Sequence, residues 1–302
     1  MISLKPYISV IIINYNGEQY LKDCLDSFYS QTRKDYEIIL IDNCSTDRSI
    51  EIITRDYPDI TLIRNKANLG FAAGTNQGIK VVQGEYILTL NNDTRIERSF
   101  LEEMVSPMDD DPQVGICASK MLLPDGRINS TGLCISRSGA AWNRGMFERD
   151  SGQYAQQEEV FGASAGAALY RKTMLDEIGL FDEDFFMYME DVDLSFRARL
   201  AGWKCLFVPT AVVYHHHGGT AGYGSDIAVY YGNRNIIWVV VKNYPSRLLL
   251  FSLPWILGRN IGVIVYYAFH RKGRVILRAK LDAIKDRKKI GKKRKQYQKN
   301  LE

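Results

Sequence analysis

The chain has 302 residues, of which 46% are hydrophobic and 25% charged, a composition that fits a folded globular protein and excludes wholesale disorder. This length is enough to bury a substantial core, in one large domain or in one domain with an appendage. The net charge of +4 is unevenly distributed: residues 271–302 hold fourteen Lys or Arg against three acids, so they carry +11 and the rest of the chain −7. We therefore expect an acidic body and a basic tail with separate roles.

The five cysteines lie far apart and form no CxxC or Cys/His pattern, which predicts reduced, structural thiols in a cytosolic chain. The N-terminal stretch MISLKPYISVIIINYN lacks the basic region, apolar run and cleavage site of a signal peptide. We expect it to form the first strand of the fold.

Short β-branched runs alternate with helical patterns in the first half of the chain. The predicted strands are Ile8–Ile13, Tyr36–Ile41, Ile60–Ile63, Tyr86–Leu90 and Val114–Ala118. The predicted helices are Glu18–Ser30, Thr46–Tyr57, Ala72–Val82 and Glu97–Pro107. Apolar strands separated by helices predict a doubly wound, mostly parallel α/β sheet, which binds ligands beyond the carboxyl ends of its strands.

Polar clusters follow three of these strands: "NYNG" after the first, "DNCSTD" after the second and "NNDT" after the fourth. Each cluster alone is explained by a turn, because Asn and Asp side chains satisfy the local backbone. Since the carboxyl ends of parallel strands lie at one edge, three clusters together indicate a polar pocket.

The second half of the chain is less regular. Residues 127–162 suggest loops and a short hairpin, "VFGASAGAALYRK" a further strand, and "MEDVDLSFRARLAGWK" the start of a helix. The segments "CLFVP" and "AVVYHHHGGT" follow as strand-like runs.

Residues 247–269 are apolar over close to the roughly 20 residues that cross a bilayer. Pro254, Ser252 and Asn260 weaken the case for a membrane span, and Arg259 is the one interior charge. Three interpretations remain: an amphipathic helix pair packed on the domain, an interfacial membrane helix, or a true span.

Asp93 lies at the end of a predicted strand, with Asn91 and Asn92 as hydrogen-bonding neighbours. Mg²⁺ and Mn²⁺ prefer oxygen ligands, and Mg²⁺ is typically held by one or two carboxylates plus substrate phosphates. Because no Gly-rich phosphate loop follows the first strand, a bound diphosphate would need such a metal. A turn without any metal is the alternative for this stretch.

The segment "YMEDVDLSFR" places Glu190, Asp191 and Asp193 within four residues. Acidic residues suit the first turn of a helix, and Asp193 has the i, i+4 spacing for an ion pair with Arg197. The apolar stretch "FDEDFFMYM" just before them favours a pocket wall, in which a carboxylate can act as a general base.

The segment "YHHHGGT" ends an apolar strand with His215, His216 and His217. Three consecutive histidines before two glycines suggest at least one ligand. Strand alternation puts His215 and His217 on one face and His216 on the other.

Six motifs in order, "SVIIINYNG", "IDNCSTD", "NLGFAAGTNQG", "LTLNNDT", "GLFDEDFFMYMEDVDLSFRARLAGW" and "VYHHHGGT", resemble those of one enzyme family. This family is the inverting nucleotide-sugar glycosyltransferases of family two with the A-type fold, and the rhamnosyltransferase group in particular. The resemblance covers roughly residues 7–245.

The resemblance implies roles for individual residues. It assigns the nucleotide-sugar site to Asn14, Asn16, Asp42, Asn68, Asn76, Asn92 and Asp93. It implies that Asp191 is the general base, that Glu190 and Asp193 bind the acceptor, and that Asp93 and His215 hold Mg²⁺ or Mn²⁺, with His217 as the alternative ligand. Asn91 stands where the family often has the first Asp of its DxD motif, so direct coordination by Asn91 is not expected.

The implied organisation is a glycosyltransferase domain at residues 1–224, with a nucleotide-sugar half to about 125 and an acceptor and catalytic half from about 126. A helical, basic, membrane-associating extension follows at residues 225–302. The implied activity is transfer of a sugar, with rhamnose as the leading candidate, from a nucleoside-diphosphate sugar to a saccharide or polyprenyl-linked acceptor in cell-surface glycan synthesis.

The expected location is the cytoplasm, at the inner face of the cell membrane, where the basic C-terminus would meet anionic lipid. A basic tail that only solvates the C-terminus or touches nucleic acid nonspecifically is the alternative, and no specific nucleic-acid partner is expected. A metal-dependent nucleotidyltransferase acting on sugar phosphates and a non-catalytic nucleotide-binding protein are the rival functions.

Overall fold

The computed structural model describes residues 5–216 and 224–298. The strands are β1 Ile8–Asn14, β2 Tyr36–Asp42, β3 Thr61–Arg64, β4 Tyr86–Asn91, β5 Thr94–Ile96, β6 Val114–Leu122, β7 Ile128–Ser130, β8 Leu133–Ile135, β9 Ala141–Asn143, β10 Glu158–Glu159, β11 Ala167–Arg171 and β12 Lys204–His215. The helices are α1 Glu18–Tyr29, α2 Ser49–Asp56, α3 Gly70–Ile79, α4 Phe100–Asp110, α5 Lys172–Ile178, α6 Glu190–Leu200, α7 Asp226–Asn243, α8 Ser246–Phe269, α9 Gly273–Lys285 and α10 Arg287–Gln298, with a 3₁₀ turn at Glu183–Phe185.

The main sheet has the strand order β3-β2-β1-β4-β11-β6-β12, with β10 beside β12 at the edge. Neighbours are parallel on both sides of β1 and between β6 and β12, whereas β11 is antiparallel to β4 and β6. The predicted α/β architecture, a mostly parallel sheet with a helical C-terminal extension, is confirmed.

Strand alternation divides the core into two layers, one on each face of the sheet. Val10 and Leu88 point to the layer covered by α1 and α4, while Ile11 and Ile87 point to the layer covered by α3, α5 and α6. Both faces of the central strands are therefore buried, which explains why these strands are apolar at nearly every position.

Several boundaries differ from the sequence-based expectation by up to four residues, among them those of α2, α3 and β6, and two differences have a clear structural cause. Helix α4 begins at Phe100 instead of Glu97, because residues 94–96 form β5 and pair with β12. The runs predicted as separate strands after Trp203 form the single strand β12, which keeps pairing with β6 through an irregularity between Val208 and Val212. The predicted short hairpin is present as β8 and β9.

The C-terminal helices pack against the α/β body through α7, which contacts α6, α9 and α10. By length and composition, α8 is the one helix in the described chain that could cross a membrane, and only 6% of its most apolar stretch is buried. The described part of the basic segment is not a free tail, because it forms α9 and α10. On α10, Lys289 and Lys293 bind Asp184, and Arg294 donates to the carbonyl groups of Val241 and Tyr244.

Candidate functional site

A buried polar network joins the ends of β1, β2 and β4. The register pairs Asn14 with Asp42, and the Asn14 amide donates to the Asp42 carboxylate over 3.0 Å. The Asn92 amide donates to the Asn14 oxygen over 2.7 Å, and the Ser45 hydroxyl donates to Asp42 over 2.5 Å. A Cβ at Gly17 would lie 2.0 Å from the Asn92 amide, so only glycine allows this close approach. The three polar clusters therefore converge, as strand direction predicts.

Three other predicted donor-site residues surround this network in different ways. Asn16 is exposed, has a φ of 51° and accepts a hydrogen bond from the Thr46 amide over 2.8 Å. Asn68 is also exposed and accepts from the Gly70 amide at the start of α3. Asn76 is buried, and its amide is bonded to both backbone groups of Phe181, so it ties α3 to the chain before α6. Their binding roles remain predictions.

Asp93 and His215 meet beside this network. Pairing of β5 with β12 brings the buried side chains together, with 3.1 Å between Asp93 Oδ1 and His215 Nε2. The other ring nitrogen, Nδ1, lies 2.8 Å from the Asn129 oxygen. The Nε2 atom also lies 3.2 Å from the Asn91 side-chain amide nitrogen.

This arrangement fits a small divalent cation. An imidazole nitrogen and a carboxylate oxygen, two ligand types that divalent cations accept, lie side by side, and a hydrogen bond at Nδ1 is the usual way to orient a ligating histidine. Within residues 5–216 and 224–298 no third His, Cys, Asp or Glu completes a metal cluster, so substrate oxygens would supply the remaining ligands. His216 is exposed with its ring near Tyr20, and His217 lies outside the described residues.

The backbone before α6 is strained. Phe186, Tyr188 and Met189 have φ angles of 65°, 66° and 72°, a region that non-glycine residues rarely occupy. Each such residue costs on the order of 1–3 kcal/mol and persists only where neighbouring structure enforces it. These residues lead directly into Glu190 and Asp191 at the first turn of α6, so the strained segment sets the direction of both carboxylates.

Glu190 and Asp191 form a pair of carboxyl groups with raised pKa. Burial, and then repulsion from Asp191, raises the pKa of Glu190 well above its usual range. One Glu190 oxygen is buried and has no hydrogen-bond partner among the described residues. Burial also raises the pKa of Asp191, although hydrogen bonds from the amides of Val192 and Ala165 partly offset this effect. A carboxylate with a raised pKa is a stronger base than an ordinary aspartate.

Two consecutive residues before β11 connect the carboxylate pair to the histidine site. The backbone N–H of Ala165 lies 3.4 Å from an Asp191 oxygen. The backbone carbonyl of Gly166 accepts a hydrogen bond from the backbone N–H of Asn91. The Asn91 side chain in turn contacts His215. Asp191, His215 and Asp93 thus belong to one contiguous region at the carboxyl edge of the sheet.

Helix α7 holds the strained segment in place. The Asn235 side-chain amide donates to the carbonyl oxygens of Phe185, Met187 and Tyr188 over 2.7 to 3.0 Å. The Arg234 guanidinium donates to the Phe185 carbonyl as well and stacks on an aromatic ring of its own helix. Residues beyond 224 therefore position the carboxylates of α6.

Asp193 lies in a buried ion-pair network. Its carboxylate is 3.0 Å from the Arg197 guanidinium and 2.9 Å from the Lys242 ammonium group, and it accepts from the Asn243 amide. Lys242 also contacts Asp182 over 2.7 Å. Because the Asp193 side chain is fully enclosed, the structure favours the ion pair predicted by the i, i+4 spacing over contact with an acceptor.

The network has consequences for stability at low pH. Burial raises the pKa of Asp182, but attraction to Lys242 and hydrogen bonds from Lys242 and Lys293 outweigh it and lower this pKa to about 2. An aspartate in the unfolded chain has a pKa of about 3.9. The resulting stabilisation is therefore complete above pH 4 and is lost as the pH falls toward 2.

A family model described as Glycosyl transferase family 2 matches residues 9–179, which is more than half of the chain. The chain belongs to this family. The match ends before α6, so it covers the strands up to β11 and not Asp191 or His215.

Individual relatives agree with this membership. This glycosyltransferase is 26% identical over 238 residues to the N-acetylglucosaminyl-diphospho-decaprenol L-rhamnosyltransferase of Mycobacterium tuberculosis, covering 71% of this chain and 78% of that protein. We therefore describe the chain as rhamnosyltransferase-like.

Solved structures share the fold. TarS of S. aureus superposes with a TM-score of 0.58 and 20% identity over 84% of this chain, which spans only 43% of TarS. The mannosyltransferase PcManGT of Pyrobaculum calidifontis, solved with GDP-Man and Mn²⁺, superposes with a TM-score of 0.60 and 16% identity, covering 97% of this chain and 85% of that one.

Three residues of this region were not found from the sequence. Asn129 lies in the irregular stretch "RINSTG", which gave no signal for a partner of His215. Asn235 and Lys242 lie on α7, in the run "RNIIWVVVKN", where polar residues among apolar ones were a detectable but unused signal of buried contacts.

Replacing Lys242 with Met should destabilise the glycosyltransferase by about 3–5 kcal/mol, because it leaves buried carboxylates short of a counter-charge. Urea denaturation followed by circular dichroism measures this change. Lys285→Met is the matched control, since the Lys285 side chain is 74% exposed and its ion pair with Asp282 should contribute less than about 1 kcal/mol. Equal effects of the two variants would contradict a stabilising role for the buried network.

Proposed function

We propose that this glycosyltransferase is an inverting enzyme that moves a sugar from a nucleoside-diphosphate sugar to a saccharide or lipid-linked saccharide. The observation that carries the proposal is the juxtaposition of Asp191, a carboxylate with a raised pKa on a strained support, with the Asp93 and His215 pair. A base on one side and a diphosphate-binding group on the other are the two parts that such a displacement requires.

On the donor side, we propose that the polar network receives the nucleotide. Asp42 would contact the base, and the remaining donor-site residues are Asn14, Asn16, Asn68 and Asn92. Asn76 would act indirectly, through its bonds to Phe181. A divalent cation, Mg²⁺ or Mn²⁺, held by Asp93 and His215 would neutralise charge on the departing diphosphate. The Mn²⁺ in the PcManGT structure supports this assignment.

On the acceptor side, Asp191 accepts the proton of the acceptor hydroxyl. The hydroxyl oxygen forms the new bond to the anomeric carbon as the bond to the diphosphate breaks, which inverts the anomeric configuration. Glu190, whose pKa is raised well above its usual range by burial, would contact the acceptor beside Asp191. Asp193 is a positioning residue that fixes α6 through Lys242 and Arg197.

The similarity to the mycobacterial rhamnosyltransferase supports rhamnose as the sugar and a diphosphate-linked polyprenol saccharide as the acceptor. A place in cell-surface polysaccharide synthesis follows from that acceptor. Two alternative functions came from the sequence, a nucleotidyltransferase and a non-catalytic nucleotide-binding protein. Neither function requires a desolvated carboxylate on a strained backbone next to the donor site.

The Asp191→Asn variant should lose roughly 10²- to 10⁴-fold in turnover, the usual contribution of a general base, with donor binding nearly unchanged. Turnover is measured as nucleoside diphosphate released from a panel of nucleotide sugars with Mn²⁺, and donor binding by thermal shift. Asp176→Asn, at an exposed ion pair on α5, is the control and should behave as the unsubstituted chain. Near-normal turnover in Asp191→Asn would remove this residue from the mechanism.

Nucleoside diphosphate should raise the melting temperature of the chain when Mn²⁺ is present and much less in EDTA, because a ligand that binds only the native state stabilises it. Asp93→Asn and His215→Asn should lose the Mn²⁺-dependent part of the shift. His216→Asn should keep it, since His216 is exposed and faces Tyr20. A full response in His215→Asn would transfer the ligand role to His217.

We further propose that residues 225–302 associate with the cytoplasmic face of an anionic membrane, while residues 1–224 form the transferase domain. Helix α8 supports this proposal, because its exposed residues are large and apolar: Leu250 is 70% exposed and Phe251 74%. Leu277, Leu281 and Ile284 of α9 are exposed apolar residues as well.

The full chain should cosediment with phosphatidylglycerol vesicles at low salt. Phe251→Glu and Ile261→Glu should weaken binding roughly tenfold or more, because each removes about 1.5–3 kcal/mol of apolar burial in the membrane. Val81→Glu, which adds the same charge at an exposed position of the α/β body, is the control. Absence of vesicle binding by the unsubstituted chain at low salt would defeat the membrane proposal.

A further inference from the structure

Helix α8 carries polar residues on its inward side. Its most exposed residues are apolar, whereas the side turned toward the protein carries Ser252, Arg259 and Asn260 beside the apolar Leu249 and Ile256. The Ser252 hydroxyl, one Arg259 nitrogen and the Asn260 oxygen are buried without a hydrogen-bond partner in the described chain. A helix at a water surface has the opposite arrangement, so the interior of this helix bundle requires its own explanation.

Lys280 of α9 is buried on the same interior side, with 7% of its surface exposed. Its ammonium group donates to the backbone carbonyl of Asn233 over 3.1 Å. Burial lowers the pKa of Lys280 to about 7, and repulsion from the Arg259 charge adds to this effect. Arg259 of α8 and Lys280 of α9 are thus two basic side chains that are desolvated where these two helices pack together.

No carboxylate neutralises this pair among residues 5–216 and 224–298. The acids of the neighbouring helices are engaged elsewhere: Asp282 bonds to Tyr230 and Lys285, and Asp226 pairs with Lys272. Burying an unpaired cation is costly, and proteins usually pair it with an anion. The missing counter-charge points to an anionic ligand with several acceptor oxygens.

The location of the two cations narrows the ligand. The apolar surface of α8 lies on the outside of the same helix that carries Arg259, so an anion in the interior would lie next to a bound lipid surface. Asn233, which accepts from Lys280, directly precedes Arg234 and Asn235, the residues that hold the segment before Glu190. The cation pair therefore lies between the proposed membrane surface and the acceptor side of the site.

We propose that Arg259 and Lys280 bind the diphosphate of a lipid-linked saccharide acceptor. The inference rests on the proposed function and adds a site to it: the lipid chain lies along α8, the diphosphate contacts the two cations, and the attached saccharide extends past α7 toward Asp191. Phosphates are strong hydrogen-bond acceptors, and bonds between charged partners are about twice as strong as neutral ones.

The experiment uses the full chain and Lys280→Met, with Arg259→Met as a second variant. Cosedimentation is measured with phosphatidylcholine vesicles that contain decaprenyl diphosphate. Either substitution should weaken binding roughly tenfold to hundredfold, the loss expected for one hydrogen bond between charged groups. Both variants should stay folded, with an unchanged or raised melting temperature, because relief of the cost of burying an unpaired cation offsets the lost hydrogen bond from Lys280 to the Asn233 carbonyl.

Arg278→Met is the matched control, since it removes one positive charge from the exposed face of the same helix. A purely electrostatic attraction to the vesicle would be weakened equally by Arg278→Met and Lys280→Met, and that result would overturn the inference. So would unchanged binding of both Lys280→Met and Arg259→Met.

Two further arms separate the sources of phosphate. Vesicles with phosphatidylglycerol at the same surface charge and no decaprenyl diphosphate should show no difference between Lys280→Met and Arg278→Met. A specific loss there would indicate a phospholipid headgroup site instead. Inorganic diphosphate should raise the melting temperature of the unsubstituted chain and of Lys280→Met by the same amount. A larger rise for the unsubstituted chain would indicate a site for free diphosphate instead of a lipid-linked one.

Donor hydrolysis by the unsubstituted chain, measured in parallel, distinguishes failure of the lipid diphosphate site from failure of the proposed glycosyltransferase function. Metal-dependent hydrolysis without an effect of Lys280→Met on vesicle binding would leave the glycosyltransferase function in place and reject the lipid diphosphate site. Absence of hydrolysis would count against the function itself.

Discussion

The hydrogen bonds from α7 to the backbone of the segment just before α6, at residues 185–188, are the contacts on which the rest of the site depends. Three residues of that segment occupy the left-handed region, at a combined cost of several kcal/mol. The Asn235 amide offsets part of this cost through three carbonyl groups, and Lys242 anchors Asp193 one turn into α6. Without these contacts the segment would relax, and Glu190 and Asp191 would lose the desolvated environment that raises their pKa.

Local and periodic features of the fold were readable from the sequence. The strand ends carrying Asn14, Asp42 and Asn92 were expected to meet because parallel strands bring their carboxyl ends to one edge. The ion pair of Asp193 with Arg197 followed from helical spacing. The pairing of Lys242 with Asp193 was not predictable in this way, because the two residues are 49 positions apart and no periodic pattern relates them. Asn129 was missed for the same reason, since only the folded chain brings it to His215.

The C-terminal helices show a second limit of sequence reading. Composition gave the apolar character of residues 247–269 but not which face of the helix is buried. The structure shows that Ser252, Arg259 and Asn260 lie on the inward side of α8 together with Leu249 and Ile256, whereas the exposed side is apolar from Leu250 onward. The basic charge of the chain is also divided: Lys289 and Lys293 bind acids of the α/β body, while residues such as Arg278 and Lys285 remain exposed.

The contacts of α10 with Asp182 and Asp184 affect how the protein matures during synthesis. These acids lie just before α6, yet their partners Lys289 and Lys293 leave the ribosome only after about a hundred further residues have been translated. The nascent α/β body can assemble its sheet early, since those strands are complete by residue 215. The carboxylates at the start of α6 gain their final surroundings only afterwards, once α7 and α10 have been synthesised.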